Sequence, residues 1–564
     1  MQIIQKKIYL KHIQKTNPEN CKIPKIKNLR GKIVLQALNI TMQFGQRKLF
    51  ENINLKLDKG KRYGLIGANG AGKTTFLKIL SGQLEQTYGD ISIESGARVG
   101  TLGQNQYAFE DFTLFDAVLY GNKKLYEAIK EKEKLYAEGD FSDDKVNNRL
   151  AELEMICADE DPTYEYDVNI AKILEDLGFD SSIHDSKMSE LTSGDKFKIL
   201  LAQVLFPNPD ILFLDEPTNN LDIKTIGWLE EKLKRHTGTM VVISHDRHFL
   251  NAVVTHILDV DFGTIREFTG TYDDWYIAAN LIQKQMEVER EKKMAEKEQL
   301  ENFIRRFSAN ASKAKQATSR QKQLEKIQID DIRPSTRRDP SIVFKPKREI
   351  GNDCLMAENI TFGYGEQKIF ENFTLSVLKT DKIALIGQNG IGKTTLLKLL
   401  MGELTPEGGK VTWGATVQPG YFPQDTTDVV QGEESLYEWL RSFDRKADIS
   451  EIRNCLGRML FNGQEQEKPV GAISGGEKHR VMLSKLMLEG PNFLVLDEPN
   501  NHLDLEAIIA LGEGLYDYKG AAICISHDRE LIDAFANRII ELKPNNEIID
   551  FRGSYEEYIE TYGH

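Results

Sequence analysis

Short, almost continuous apolar runs alternate with longer amphipathic stretches along this chain. The runs ILFLD at 211–215 and MVVIS at 240–244 contain very few polar residues, a pattern typical of parallel strands whose two faces are both buried. The stretches between such runs carry apolar residues at helical spacing. The pattern therefore predicts an α/β fold in which helices cover both faces of a parallel sheet.

The same pattern occurs twice. GANGAGKTT at 67–75 returns as GQNGIGKTT at 387–395, and ILFLDEPTNNLD at 211–222 returns as FLVLDEPNNHLD at 493–504. These two motifs lie farther apart in the first copy than in the second, so the first copy contains an insertion between them. Because residues 117–155 are rich in Lys, Glu, Leu and Tyr at helical spacing, we expect a short helical arm there.

The repeat divides the chain into parts. We expect a first domain at 33–278, a second domain at 352–564 and a charged helical linker at 279–340. Within the linker, residues 281–307 contain few helix breakers and dense charge, which predicts a long exposed helix. Residues 1–32 carry nine Lys and Arg against one acid. This extension is expected to be a disordered basic tail or the product of an upstream start, and an RNA-binding tail is the functional alternative.

The composition of the chain limits the cellular compartment and the kinds of partner that we expect. The net charge of the 564-residue chain is −13, so any contact with nucleic acid must come from a local basic patch. No apolar run approaches the ~18–20 residues that span a bilayer, and we expect a cytoplasmic protein. The cysteines form no C-x-x-C pair, which favours free thiols over a disulfide framework or a zinc site. They are Cys21, Cys157, Cys354, Cys455 and Cys524.

A glycine-rich loop follows an apolar strand and precedes a helix in each copy. Glycine lets backbone N–H groups approach phosphates without a Cβ clash, and the helix N-terminus adds positive potential. Lys73 is expected to reach the β- and γ-phosphates and Thr74 to bind Mg²⁺. Two such loops in matched context predict two ATP sites. The expected ATP-binding residues of the loops are Gly67, Asn69, Gly70, Gly72, Lys73, Thr74 and Thr75, and then Gly387, Asn389, Gly390, Gly392, Lys393, Thr394 and Thr395.

Each copy also places two adjacent acids at the end of an apolar strand. Because ligands bind beyond the carboxyl ends of the strands in such sheets, we expect Asp215 and Asp497 to hold Mg²⁺, directly or through water. Glu216 and Glu498 are expected to orient and deprotonate the attacking water, a role worth roughly 10²–10⁴-fold in rate.

Three further pairs of residues occupy matching positions in the two copies: His245 and His527, Gln104 and Gln424, and Phe44 and Tyr364. The histidines follow a strand at the same spacing after the glutamate in both copies, which favours a γ-phosphate sensor over a structural role. The glutamines each follow a strand and are expected to help place Mg²⁺ and water. The aromatic residues precede the phosphate loops at equal spacing, where stacking on adenine is plausible. Core packing is nearly as good an interpretation for Phe44.

Together these motifs resemble the ATP-binding cassette (ABC) superfamily. ISGGEKHR at 473–480 is similar to its signature sequence, and SHDR and DEPNNHLD fit the soluble ABC-F family. The segment at 308–327 resembles the YbiT-type branch, and the likeness covers nearly all of 33–564. It implies two tandem P-loop ABC ATPase domains that close head to tail within one monomer, with ATP and Mg²⁺ between each phosphate loop and the opposite signature. The implied signature contacts are Thr192, Gly194, Ser474, Gly475 and Gly476.

The resemblance also implies a partner. Characterised ABC-F members bind the ribosome at the tRNA exit site without a transmembrane subunit. Their linker reaches toward the peptidyl-tRNA, and the arm contacts ribosomal RNA or protein. The leading hypothesis is therefore a translation factor that clamps onto ribosomes and releases after ATP hydrolysis. Two alternatives remain, the ATPase subunit of a transporter and a DNA-associated ABC-F ATPase.

Two departures from the family pattern bear on the ATP sites. The first signature reads LTSGDKFK, so Thr192 and Ser193 replace Ser and Gly. Asn500 stands where the family usually has Thr. Both sites are expected to be competent but unequal, with Glu216 contributing more to turnover than Glu498.

Basic charge is concentrated in the linker. Residues 302–326 carry seven Lys and Arg against one acid, Glu325. Residues 308–319 are small and polar, which lets basic side chains approach phosphates closely. A solvated helical hairpin is the alternative, since charge runs are usually solvent-exposed faces. The expected RNA-binding residues are Arg305, Arg306, Lys313, Lys315, Arg320 and Lys322.

Overall fold

The structure is a computed structural model, and it describes residues 33–45, 47–103, 107–138, 144–219, 221–261, 263–307, 340–365 and 367–563. The first copy forms, in chain order, β1 (Ile33–Phe44), β2 (Arg47–Asp58), β3 (Arg62–Gly67), α1 (Lys73–Leu80), β4 (Tyr88–Ile93), β5 (Val99–Thr101), α2 (Leu114–Leu119), α3 (Lys123–Glu138), α4 (Asp144–Glu160), α5 (Tyr166–Asp176), α6 (Ser193–Leu205), β6 (Ile211–Asp215), α7 (Ile223–Arg235), β7 (Thr239–Ile243), α8 (Arg247–Val253), β8 (His256–Asp261), β9 (Thr264–Thr269) and α9 (Tyr272–Phe307).

The second copy repeats this order without the arm. Its elements are β10 (Asp353–Tyr364), β11 (Gln367–Leu378), β12 (Lys382–Gly387), α10 (Lys393–Met401), β13 (Gly408–Trp413), β14 (Pro419–Phe422), α11 (Leu436–Phe443), α12 (Ile449–Arg458), α13 (Gly475–Glu489), β15 (Phe493–Asp497), α14 (Leu505–Asp517), β16 (Ala521–Ile525), α15 (Arg529–Phe535), β17 (Arg538–Leu542), β18 (Ile548–Arg552) and α16 (Tyr555–Tyr562). Short 3₁₀ turns lie at Ser181–Ile183, Met188–Glu190, Gly463–Glu467, Val470–Ala472 and Pro544–Asn546.

Each copy contains one large and one small sheet. The large sheet has the order β5-β6-β7-β3-β8-β9 in the first copy and β14-β15-β16-β12-β17-β18 in the second. Its strands are parallel except for the antiparallel last strand, β9 or β18. The small antiparallel sheets are β2-β1-β4 and β11-β10-β13. The two sheets recur in the same strand order, which confirms the predicted repeated α/β fold.

The apolar strands are buried on both faces, as their composition predicts. In β6, Leu212 and Leu214 pack in a core with α6, α7 and α8. Ile211 and Phe213 point to the opposite face and pack with α1 and the small sheet. Asp215, the last residue of β6, lies beside Ile243, the last residue of β7. The loops that follow β3, β6 and β7 therefore meet at one edge of the sheet.

The arm is a helical hairpin formed by α3 and α4, which pack side by side. It begins later than the predicted residue 117, because α2 is buried in the core beneath it through Leu114 and Val118. It also extends to Glu160. Arg149 Nε lies 2.7 Å from Glu131 Oε1 and joins the two helices.

The linker helix α9 begins at Tyr272, earlier than the predicted start at 281. Thr271 and Asp274 cap its first turn, since the Thr271 N–H and hydroxyl both donate to Asp274 Oδ2 at 3.0 Å. Tyr272 and Trp275 are buried and tie this first turn to the first copy. Among the described residues, no helix is long and apolar enough to cross a membrane.

Candidate functional site

Each phosphate loop is a tight turn that needs glycine. Gly67 (φ 156°) and Gly72 (φ 97°) adopt backbone conformations that other residues rarely take. A Cβ on Gly67 would lie 2.7 Å from the Val260 carbonyl oxygen, and one on Gly72 would lie 2.6 Å from Leu49 Cδ2. The turn leads directly into α1, so its backbone N–H groups and the helix N-terminus provide an anion site.

The lysine of each loop folds over its own turn. Lys73 Nζ donates to two loop carbonyl oxygens at 2.8 and 3.3 Å. Lys393 Nζ does the same at 2.8 and 3.0 Å. Burial lowers the pKa of Lys393 to about 8, against the opposing charge of Glu498. Both ammonium groups thus lie within the loops that would hold the phosphates.

The two glutamates occupy a backbone conformation that is unusual for their type. Glu216 has φ 50° and Glu498 has φ 48°, the left-handed region that residues other than glycine enter at a cost of order 1–3 kcal/mol. The Glu216 N–H donates to Ile243 O at 2.9 Å, and the Glu498 N–H donates to Ile525 O at 3.0 Å. These bonds to the neighbouring strand hold each carboxylate at the sheet edge. Strain maintained in both copies is typical of functional positions.

The aspartates before these glutamates are buried beside the loop threonines. Burial raises the pKa of Asp215, and Thr74 opposes the shift. Burial raises the pKa of Asp497 to about 7, with Thr394 again opposing. Neither carboxylate oxygen of Asp497 has a hydrogen-bond partner among the described residues. A buried carboxylate without such partners is stabilised by a cation.

The two histidines lie at different distances from the glutamates of their own sites. His245 Nε2 lies 3.1 Å from Glu216 Oε1, and the His245 N–H donates to Glu216 Oε2 at 3.2 Å. His527 Nε2 lies 3.8 Å from Glu498 Oε1. Glu498 Oε2 instead accepts from Asn501 Nδ2 at 2.6 Å. The same sequence motif therefore produces two different partners for the carboxylate.

Burial controls the charge of these groups. It raises the pKa of Glu216 to about 7, with Lys73 as the main opposing charge. Burial lowers the pKa of His245 well below its usual range, and it lowers the pKa of His527 to about 3. Both imidazoles are consequently neutral near pH 7.

Residues of both copies line one cleft of about 450 Å³. The Asn69 side-chain amide donates to the His502 carbonyl oxygen at 3.1 Å and joins the first phosphate loop to the second copy. We call this cleft site 1. Its first-copy residues are Phe44, Leu49, Asn69, Gly70, Gly72, Lys73, Thr74, Thr75, Asp215, Glu216, Asn219, Ile243 and His245, and its second-copy residues are Ser474, Gly476, Glu477, Arg480 and His502.

The counterpart, which we call site 2, is built around Lys393, Glu498 and His527. The first copy faces it through Asp222, whose charge raises the pKa of both Lys393 and His527 against the effect of burial. Gly387, Asn389, Gly390, Gly392, Thr394 and Thr395 occupy the loop positions that match those of site 1.

Each signature begins a helix. Ser474 is the N-cap of α13, and its hydroxyl donates to Glu477 Oε2 at 2.8 Å. Thr192 is the N-cap of α6 and donates to Asp195 Oδ2 at the same distance. Gly475 and Gly476 form the first turn of α13, as Gly194 does in α6. The signature thus presents a helix N-terminus, which in site 1 faces the phosphate loop.

The structure describes the remaining candidate residues to different extents. Phe44 and Tyr364 are each 54% exposed, which excludes the core-packing interpretation of Phe44. Gln424 is exposed in the turn after β14. Gln104, residues 1–32 and linker residues 308–339 lie outside the described residues. Arg305 and Arg306 belong to the last turn of α9, but their side chains are outside the description.

Several residues of site 1 were not predicted from the sequence, chiefly Asn219, Arg480 and His502. Asn219 and His502 belong to the DEP-containing motifs, so the motif itself was the available signal. Arg480 closes the ISGGEKHR segment and has a basic counterpart, Lys198, in the first signature.

Comparison with known proteins finds matching family profiles and similar relatives. A family profile described as "ABC transporter" matches residues 50–219 and 370–501, and a second of the same description matches 258–344. The chain is 47% identical to "Uncharacterized ABC transporter ATP-binding protein YkpA" of Bacillus subtilis, over 93% of this chain and 97% of that protein. It is 43% identical to "Probable ATP-binding protein YbiT" of Escherichia coli O157:H7, over 94% and 100%.

Two solved structures share the fold at low sequence identity. The "RNase-L Inhibitor" has a TM-score of 0.57 and 18% identity, over 93% of this chain and 92% of that one. A "Model of ribosome-bound archaeal Pelota and ABCE1" has a TM-score of 0.55 and 20% identity, over 93% and 80%.

Proposed function

The chain belongs to the ABC-F family of ATP-binding cassette proteins, and from this premise we propose that it is a translation factor of the cytoplasm. It is an ATP hydrolase with two ABC ATPase domains. In the proposed cycle, the two domains close on two ATP molecules, the closed form binds the ribosome, and hydrolysis releases it. The ATPase part of this proposal rests on site 1, where Lys73, Glu216 and His245 of one domain face Ser474 of the other. The ribosome part rests on membership of the ABC-F family, whose characterised members bind ribosomes.

The geometry of site 1 supports a division of roles. Glu216 orients and deprotonates the attacking water, because its carboxylate is held at the sheet edge by backbone and His245 contacts. His245 is neutral and places its Nε2 beside this carboxylate, where it senses the γ-phosphate. Phe44, exposed at the rim, stacks on adenine. Glu498, His527 and Tyr364 take the same roles in site 2.

The residues present fit Mg²⁺. Asp497, with both carboxylate oxygens buried and without hydrogen-bond partners among the described residues, lies beside Thr394. Asp215 and Thr74 form the corresponding pair in site 1. The described residues contain no group of three or more His, Cys, Asp or Glu side chains able to hold a metal alone, so the ion would also need oxygens from the nucleotide. Mg²⁺ held by these residues would supply neutralisation of the developing phosphate charge, and Gln104 and Gln424 are its further proposed ligands.

Co-sedimentation tests the ribosome assignment. The double variant Glu216→Gln, Glu498→Gln should bind ATP but not hydrolyse it, and it should co-sediment with ribosomes in ATP more than the wild type does. Duplex DNA and detergent-solubilised membrane proteins serve as competing partners in parallel samples. Retention on DNA alone would favour the DNA-associated alternative, and capture of a membrane protein would favour the transporter alternative.

The linker is the proposed RNA-binding element. Changing Arg305, Arg306, Lys313 and Lys315 together to Ala removes four positive charges. If these residues contact phosphates, ATP-dependent ribosome affinity should fall, and the log–log salt slope should decrease by roughly one unit per lost contact. ATPase activity without ribosomes should stay near that of the wild type. Unchanged affinity and slope would leave the linker as a spacer.

A further inference from the structure

The linker helix is attached to α8, the helix that directly follows the loop carrying His245 of site 1. Arg247, two residues after His245, donates from Nε to Asp273 Oδ1 at 2.8 Å. Asp273 is the second residue of α9. Asn251 of α8 adds two more bonds, donating from Nδ2 to Asp273 Oδ1 at 2.9 Å and accepting from the Asp273 N–H at 3.1 Å.

Arg247 also contacts the second domain. Arg247 Nη1 lies 3.5 Å from Glu530 Oε2, and Glu530 is in the first turn of α15. The Arg247 side chain is only 7% exposed, and its guanidinium also lies over the Tyr272 ring. One buried cation therefore contacts the linker helix on one side and the opposite domain on the other.

The other end of the linker is attached to the signature helix of site 1. Chain residues 340–350, here called the strap, follow the linker and pack on the second domain through buried Ile342 and Phe344. The Val343 N–H donates to Met487 Sδ at 3.4 Å, and the Lys347 N–H donates to Gly490 O at 2.9 Å. Met487 and Gly490 lie at the C-terminal end of α13.

Helix α13 begins at the opposite end with Ser474, which lines site 1. The two attachments of the linker therefore lie on α8, which directly follows the loop carrying His245, and on α13, which begins after Ser474. His245 and Ser474 both line site 1. At the equivalent place in the second domain, Arg529 begins α15, and the helix that corresponds to α9 is α16, which ends at Tyr562.

We propose that nucleotide in site 1, rather than in site 2, sets the position of the linker, and that Arg247 is the positioning residue that transmits it through Asp273. Closure of site 1 brings Glu530 against Arg247 and fixes the guanidinium in the orientation that holds the first turn of α9. This inference rests on the proposed role of site 1 as an ATP site, but it does not depend on the ribosome.

Hydrogen–deuterium exchange of the intact protein, with and without Mg²⁺ and a non-hydrolysable ATP analogue, tests the proposal. In the wild type, the analogue should slow exchange in the first turns of α9 by about tenfold, the factor that one hydrogen bond to a charged group supplies. Arg247→Gln and Asp273→Ala should each reduce this nucleotide effect to about twofold or less. The variant Asp273→Ala keeps the Thr271–Asp274 cap, so α9 should still form.

Two controls separate transmission from general damage. Asp273→Glu restores a carboxylate and should recover most of the nucleotide effect. Arg529→Gln alters the equivalent arginine, which contacts Ile223 O at 3.4 Å across the domain interface, and it should leave the effect at α9 intact. Nucleotide binding is measured in the same samples with a fluorescent ATP analogue.

The possible results are distinct. The proposal is overturned if the nucleotide effect at α9 persists in both Arg247→Gln and Asp273→Ala, if Arg529→Gln abolishes it equally, or if wild-type α9 does not respond to nucleotide that is demonstrably bound. Absence of nucleotide binding to the wild type would overturn the proposed function itself, and this inference with it.

Discussion

Asn501→Ala should impair hydrolysis at site 2 specifically. The Asn501 amide donates to Glu498 Oε2 at 2.6 Å. The other Glu498 oxygen is 3.8 Å from His527 Nε2, so the histidine holds it less closely. A hydrogen bond to a charged group contributes about 1.5–3 kcal/mol, which corresponds to about 10–150-fold if it is fully expressed in the transition state. Because Glu498 also keeps its backbone position, we expect a loss near the lower end, about tenfold.

The assay must isolate each site. Steady-state ATP hydrolysis is measured without ribosomes in a Glu216→Gln background, where the remaining turnover comes from site 2. Asn219→Ala in a Glu498→Gln background is the matched control at site 1. Among the described residues, Asn219 makes no side-chain hydrogen bond to Glu216, which is held by His245 instead. That control should lose less than about threefold.

The possible outcomes of this experiment lead to different conclusions. If Asn501→Ala hydrolyses ATP as fast as its parent, the amide does not position the base. Equal losses in the Asn501 and Asn219 variants would show that both asparagines act through the loop rather than through the carboxylate. ATP affinity should be unchanged in Asn501→Ala, because the amide of Asn501 contacts Glu498 rather than a phosphate loop.

Two further predictions concern activity and stability. Glu216→Gln should lower total ATP turnover more than Glu498→Gln, and equal losses would remove the case for unequal sites. Arg538→Ala should lower the free energy of unfolding of the second domain by about 3–5 kcal/mol, since it leaves buried Asp381 without its main cation, 2.7 Å away. Arg552→Ala removes the more distant, 60% exposed partner of the same carboxylate, and should cost less than about 1 kcal/mol in denaturant unfolding.

The repeated α/β architecture could be predicted because apolar runs and glycine loops are local signals. The run at 211–215 coincides with β6, and the run at 240–244 overlaps β7. The ends of the helices and strands were harder to predict from the sequence. The linker helix starts at Tyr272 because Thr271 and Asp274 form a cap and Tyr272 is buried, and burial of that turn depends on tertiary packing.

The composition of site 1 could be predicted only in part. Lys73, Glu216 and their neighbours are found by motif, because each chemical role requires a particular residue type at a fixed spacing. The Asn69–His502 bond joins residues that are far apart in the chain, and it depends on how the two domains dock. The left-handed conformation of Glu216 is likewise imposed by its bond to the neighbouring strand, which no local pattern encodes.

The two signatures differ at the position of one glycine. Ser193 replaces the glycine that the second signature keeps at Gly475, and a Cβ on Gly475 would meet no atom of the described residues within 4 Å. The protein itself therefore has room for a side chain there, and the effect of Ser193 on a bound phosphate stays a prediction. The next glycine is the sterically demanding one, because a Cβ on Gly476 would lie 2.7 Å from His502 O, and the first signature retains Gly194 there.

The other departure, Asn500, is also accommodated. Its side-chain oxygen accepts from the Ser526 hydroxyl at 3.0 Å, as Thr218 and Ser244 pair at 3.2 Å in the first domain. Both substitutions therefore fit the surrounding protein. What does differ is the partner of the carboxylate, a histidine at 3.1 Å for Glu216 and an asparagine at 2.6 Å for Glu498. If the sites turn over unequally, the positioning of the base is a second cause to test beside the signature.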